Sequence, residues 1–126
     1  MPMGDPPMSD TPVFHLNEAL SRVDHDLDIF YTIVDLFVEL GPKDFLAVKA
    51  AVEAGNPDAV AHSAHRLKGA VMQLCAPATF EAAKTLEELG KAGDLTGAAE
   101  VCARLETELA RLVDALRRTH NKRLAA

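Results

Sequence analysis

The chain has 126 residues, with 13 Lys and Arg against 19 Asp and Glu, for a net charge of −6. That length suits one domain with a core that needs no staples, and the acidic balance argues against nucleic acid, whose phosphates need a basic face. No run of about 18 apolar residues could cross a membrane, and the N-terminus lacks a basic segment followed by an apolar core, so the expected location is the cytoplasm.

Residues 1–11 carry three prolines, Gly4 and several small polar residues, a composition that predicts a disordered leader. The domain proper is expected over 12–118. Its first helix is predicted from Phe14 to Val23, with Leu16, Ala19, Leu20 and Val23 on one side. Asp24 is positioned to cap a second helix, whose Leu27, Phe30, Tyr31, Val34, Phe37 and Val38 follow helical spacing. Gly41-Pro42 predicts its end. A third helix is expected from Lys43 to Ala54, with Phe45, Val48 and Val52 inward. In Gly55-Asn56-Pro57-Asp58, Gly closes one helix, Asn56 caps the next, Pro57 takes its first position and Asp58 suits its positive end.

The fourth helix is predicted from Pro57 to about Cys75, with Val60, Ala64, Leu67, Val71 and Leu74 inward. Ala76-Pro77 starts a fifth, carrying Phe80, Ala83, Leu86 and Leu89, and Gly90, Gly93 and Asp94 are read as the following turn. The last helix places Leu95, Ala98, Cys102, Leu105, Leu109, Leu112 and Leu116 in alternating steps of three and four, a bundle seam. A basic tail over 119–126 is expected to fray. Short turns make neighbours antiparallel, so the predicted fold is all-α: an up-down four-helix bundle with one or two additional short N-terminal helices. Cys75 and Cys102, each among apolar residues, read as two reduced, buried thiols rather than a disulfide or a zinc site.

The segment Ala64-His65-Arg66-Leu67-Lys68-Gly69-Ala70 is the most informative. A helix turns about 100° per residue. With His65 at zero, Leu67 points about 200° away, together with Val60, Ala64, Val71 and Leu74. His65 therefore faces outward on a well-anchored helix, and Ala61, His62 and Met72 complete its face. Gly69 costs about 1 kcal/mol in a helix relative to Ala. Four residues after an outward histidine, its missing side chain opens room beside the imidazole. Lys68 can place an ammonium beside an anionic group bonded to the ring, and neutral imidazole is a nucleophile near neutral pH.

Counting from the turn at Ala76, His65 lies eleven residues before and Glu87 eleven after, so the two are level on antiparallel helices. The carboxylate can accept from Nδ1–H and leave Nε2 free. Lys84, one turn before Glu87, is expected to neutralise part of the charge of an anion on the ring. Taken singly, each residue reads as solvated surface: a lone histidine, or one i, i+3 pair of Lys84 and Glu87.

His65-Arg66-Leu67-Lys68-Gly69, followed by Leu74, Ala76 and Leu86-Glu87, resembles the H-x-x-K-G…L-G-A…L-E pattern of histidine phosphotransfer domains. The likeness covers roughly Val13 to Leu116. It implies phosphorylation of His65 on Nε2, support of the phosphoryl group by Lys68, clearance at Gly69 and a hydrogen bond to the ring from Glu87. It also implies response-regulator receiver domains and a histidine or hybrid kinase as partners, a monomeric phosphocarrier without kinase activity, and no cofactor of its own, with Mg²⁺ on the receiver alone. Ala61, His62 and Met72 are the expected partner contacts. Two positions depart from the family pattern: Cys75 stands where Gly is usual and Thr79 where Leu is usual.

Other readings remain open: the phosphotransfer domain of a chemotaxis-type or hybrid kinase, or a docking adaptor that uses the same bundle without phosphorylation. A metal enzyme on four helices would need inward Glu and Glu-x-x-His ligands, and no Glu-x-x-His occurs. A kinase acting alone would need a Gly-rich nucleotide loop.

Overall fold

The structure, a computed structural model, describes residues 13–125, with side chains through 122. The leader expected over 1–11 lies outside the described residues. The chain forms α1 (Leu16–Ser21), α2 (Leu27–Ala54), α3 (Pro57–Met72), α4 (Pro77–Ala92) and α5 (Ala98–Ala125). Helices α2 to α5 form the bundle: α2 packs against α3 and α5, and α4 against the same two. The short α1 lies on α2, and the backbone N–H of His15 donates to Cys75 O at 2.9 Å, tying the start of α1 to the α3–α4 turn.

The core follows the predicted stripes. Phe30, Val34, Val48, Val60, Leu67, Val71, Leu74, Leu86, Leu105, Leu112 and Leu116 are all fully buried. Burying an aliphatic or aromatic side chain of this size contributes about 1.5–3 kcal/mol, and this core is what holds α3 and α4 rigid against each other.

Several boundaries differ from the sequence reading. The helices expected on either side of Gly41-Pro42 are one, because the inward stripe keeps its phase through Phe37, Gly41, Phe45 and Val48. Pro42 lacks the N–H that would bond one turn back, yet the apolar residues beyond it hold the helix to the core. The missing side chain of Gly41 admits the Phe37 ring, which lies 3.0 Å from where a Cβ would stand. At the start of α2, Asp26 rather than Asp24 is the cap, accepting from Ile29 N at 3.1 Å, while Asp24 and His25 take positive φ in the turn before it. Gly90, read as a turn residue, is buried inside α4, and the turn begins at Gly93 with φ +73.

At the C-terminus α5 extends through Ala125, past Leu116 where the apolar stripe ends. His120 holds it: its Nδ1 lies 3.0 Å from Asp35 Oδ1, and its ring stacks on Tyr31 with centroids 5.2 Å apart.

The predicted passage into α3 is present: Gly55 has φ +65, Asn56 accepts from Ala59 N at 3.1 Å, and Pro57 opens the helix. The other end of α3 comes sooner than expected, at Met72, and Cys75 adopts φ +54, the left-handed conformation that Gly takes most easily. Cys75 is half-buried rather than buried, and Cys102 is buried; both are free thiols. Thr79 is buried too, its hydroxyl donating to Glu108 O at 3.3 Å.

Pro42 sits exposed inside a helix, so Pro42→Ala restores a backbone donor without disturbing the core. It is expected to raise stability by about 1–3 kcal/mol, read as a higher denaturant midpoint with unchanged slope; no gain would mean that the helix is already broken at residue 42.

Candidate functional site

His65 stands in the middle of α3, its backbone fixed by Val60, Ala64, Leu67 and Val71 on the buried face. Its side chain is 68% exposed. Opposite, Glu87 projects from α4 into the α3–α4 seam and is 2% exposed. His65 Nδ1 and Glu87 Oε2 are 2.8 Å apart.

Three donors converge on this carboxylate. Lys68 Nζ is 2.6 Å from Oε1, and Lys91 Nζ is 3.0 Å from Oε2, the oxygen that also faces the imidazole. Burial is the largest influence on Glu87 and pushes its pKa up, but hydrogen bonds from Lys68, Lys91 and His65, with the charge of Lys68, outweigh it and hold the pKa at about 2. Glu87 is thus ionised at neutral pH and can only accept. The proton between Glu87 and the ring therefore belongs to Nδ1, and Nε2 carries the available lone pair.

Gly69 is exposed, and a Cβ there would meet nothing within 4 Å. The glycine is therefore not needed for packing inside the bundle. Lys68 is only 20% exposed, held beneath the His65 face by its contact with Glu87. Ala61, His62, His65, Glu87 and Lys91 line a shallow recess. His62 is exposed and Ala61 half-buried. Met72, 42% exposed, lies two turns beyond His65 and lines a separate hollow with Cys75 and Phe80.

The structure thus brings His65, Lys68 and Glu87 into one cluster and leaves Gly69 open beside it. It does not bring Lys84 there: that residue is exposed and absent from the ion pairs of Glu87. The lysine of α4 that pairs with Glu87 is Lys91. A helical side chain leans toward its own N-terminus, so a lysine four residues after Glu87 leans back onto it, whereas one three residues before leans away. The preference for Glu before Lys at i, i+4 is the signal that could have found Lys91. Among the described residues no group of three or more His, Cys, Asp or Glu side chains could hold a metal ion.

Residues 32–117 match the family model of the Hpt domain. The match spans well over half of the chain, which belongs to this family of phosphorelay histidine phosphotransfer domains. The fold is similar to that of histidine-containing phosphotransfer protein B from Pseudomonas aeruginosa PAO1, with a TM-score of 0.81 and 24% identity over 88% of this chain and 96% of that one. No curated protein sequence matches the chain. No helix among the described residues is long and apolar enough to cross a membrane.

The low pKa of Glu87 sets an acid limit. A carboxylate depressed in the folded state stabilises above its ordinary pKa, near 4.5, and that contribution is lost as pH falls from there toward about 2. Glu87→Gln is expected to lower stability at pH 7 and to flatten the stability profile between those values. Denaturant unfolding across that range checks it, and parallel profiles for the two proteins would mean that Glu87 is not held as an ion.

Proposed function

We propose that His65 is the phosphoacceptor of a phosphorelay, receiving a phosphoryl group from an aspartyl phosphate on one receiver domain and passing it to an aspartate on another. The observation that supports this most is the 2.8 Å contact from Nδ1 to a buried, ionised Glu87, which leaves Nε2 as the nucleophile on an exposed ring.

In the forward step the Nε2 lone pair forms the N–P bond while the acyl phosphate P–O bond breaks, and the aspartate leaves as carboxylate. The Nδ1 proton stays on the ring, and the positive charge developing there faces Glu87. Transfer onward is the reverse. Lys68 is held by Glu87 at rest, and after transfer its ammonium is within about one turn of a group carrying roughly −1.5 to −2 charge. Lys91, on the rim of the same recess, adds a second cation. This assigns to Lys91 the charge neutralisation first expected of Lys84.

The receiver would dock over Ala61, His62, His65, Gly69 and Met72, flanked by Leu36 and Leu40 of α2, which are 52% and 45% exposed. This face is small and apolar with a charged rim, as suits a weak and transient contact. The chain would act as a monomeric cytoplasmic carrier without kinase activity or cofactor, with the Mg²⁺ of the transfer step bound by the receiver.

His65→Gln should abolish acid-labile labelling by a phosphorylated receiver and keep its helix content, while loss of the imidazole donor to Glu87 lowers stability by about 0.5–1.5 kcal/mol. Labelling that persisted would move the site, with His62 next in line. Gly69→Gln should fold normally and transfer more slowly by crowding the docked partner, whereas an unchanged rate would remove clearance as the reason for the glycine.

A further inference from the structure

Gly69 and Gly90, on the two helices that make the site, differ in what a side chain would meet. At Gly69 a Cβ has open space, but at Gly90 it would stand 2.6 Å from Ala61 N, 2.6 Å from Pro57 O and 3.0 Å from Ala61 Cα. All three are backbone atoms of α3, so none can rotate aside. The backbones of α3 and α4 therefore approach at this point more closely than any residue but glycine permits.

The position of this approach ties it to the chemistry. Gly90 is three residues after Glu87, and Ala61 is four before His65, so at about 1.5 Å per residue the tight crossing lies roughly one turn from the His65–Glu87 contact. We propose that Gly90 is a positioning residue for the phosphotransfer histidine: by letting α4 lie directly on the first turns of α3, it brings the Glu87 carboxylate within hydrogen-bond reach of His65 Nδ1. The inference rests on His65 being the phosphoacceptor.

A methyl group at residue 90 would need an ordinary contact of about 3.5 Å, which moves the helices apart by roughly 1 Å there. The contacts of Glu87 with Lys68 at 2.6 Å and with His65 at 2.8 Å span the same seam, and lengthening them by that amount takes them to the edge of hydrogen-bond range or beyond. The ring then loses the acceptor that selects the Nδ1–H tautomer, and a buried carboxylate loses two of its three donors. Lys91 is on α4 with Glu87 and would move with it.

The test compares Gly90→Ala with Leu112→Ala, a core variant in α5 whose side chain is fully buried. Two quantities are read: the ¹⁵N shifts of the His65 ring, which report the tautomer, and the rate of labelling by a phosphorylated receiver domain. Gly90→Ala is expected to keep its helix content, move the ring from the Nδ1–H form to a mixture, and slow transfer by at least about tenfold. Leu112→Ala should lower the unfolding midpoint and leave both quantities near wild type.

An unchanged ring tautomer and a rate within twofold in Gly90→Ala would overturn the proposal, as would the same ring shift in Leu112→Ala. A Gly90→Ala chain that does not hold its helices is measured again in 1 M trimethylamine N-oxide, which favours the compact state; failure to fold even there would assign the glycine to folding and overturn the positioning role. If His65→Gln were still labelled, the phosphoacceptor assignment would fall, while the ring shifts would still judge the effect of residue 90.

Discussion

An ionised carboxylate shielded from water is costly unless donors surround it, and Glu87 sits in that condition between two helices. Its three partners come from both sides of the seam, Lys68 and His65 on α3 and Lys91 on its own helix. The ion is stable only while α3 and α4 keep their spacing, and its partners have defined positions only while the ion is there. The same carboxylate selects which ring nitrogen of His65 carries the proton. Packing and chemistry thus meet in one side chain.

The rest of the bundle serves that spacing. Val60, Ala64, Leu67 and Val71 of α3 and Ala82, Ala83 and Leu86 of α4 are all buried, the two helices pack on each other, and their backbones come closest at Gly90. The bend between them is closed at Cys75 and tied to α1 by the hydrogen bond from His15. On the outer side of α3 the demands reverse: Gly69 lacks a side chain where nothing packs, and the aliphatic residues of α2 beside it remain exposed. A rigid interior and an open exterior on one helix suit a histidine that must be aimed by its own protein and reached by another.

Much of this was legible because helices obey simple arithmetic. Equal rise along antiparallel helices placed Glu87 level with His65 from the position of one turn, and the 100° step turned His65 outward. Counting failed where direction mattered more than distance: Lys84 and Lys91 both neighbour Glu87 on α4, but the lean of helical side chains favours the later one. It failed also where local signals competed with the core. Gly41-Pro42 has the composition of a stop, yet the burial of Phe45 and Val48 carries α2 through it. Of two aspartates before α2, the cap is the one adjoining the helix, with the other in the left-handed turn. The contacts of His120 with Tyr31 and Asp35, some ninety residues earlier in the chain, are ones that no local pattern reveals. Gly90 resembled turn punctuation because Gly93 and Asp94 follow it, and only the approach of Pro57 and Ala61 shows it as an interior residue.

In the proposed relay, a buried carboxylate leaves Nε2 of His65 as the nitrogen that accepts phosphorus. The most direct measurement is NMR of the ¹⁵N-labelled protein after incubation with a phosphorylated receiver domain, locating the one-bond ³¹P–¹⁵N coupling. The coupling is expected at Nε2 of His65, with Nδ1 still protonated. Phosphorus on Nδ1 of His65, or on His62, would contradict it.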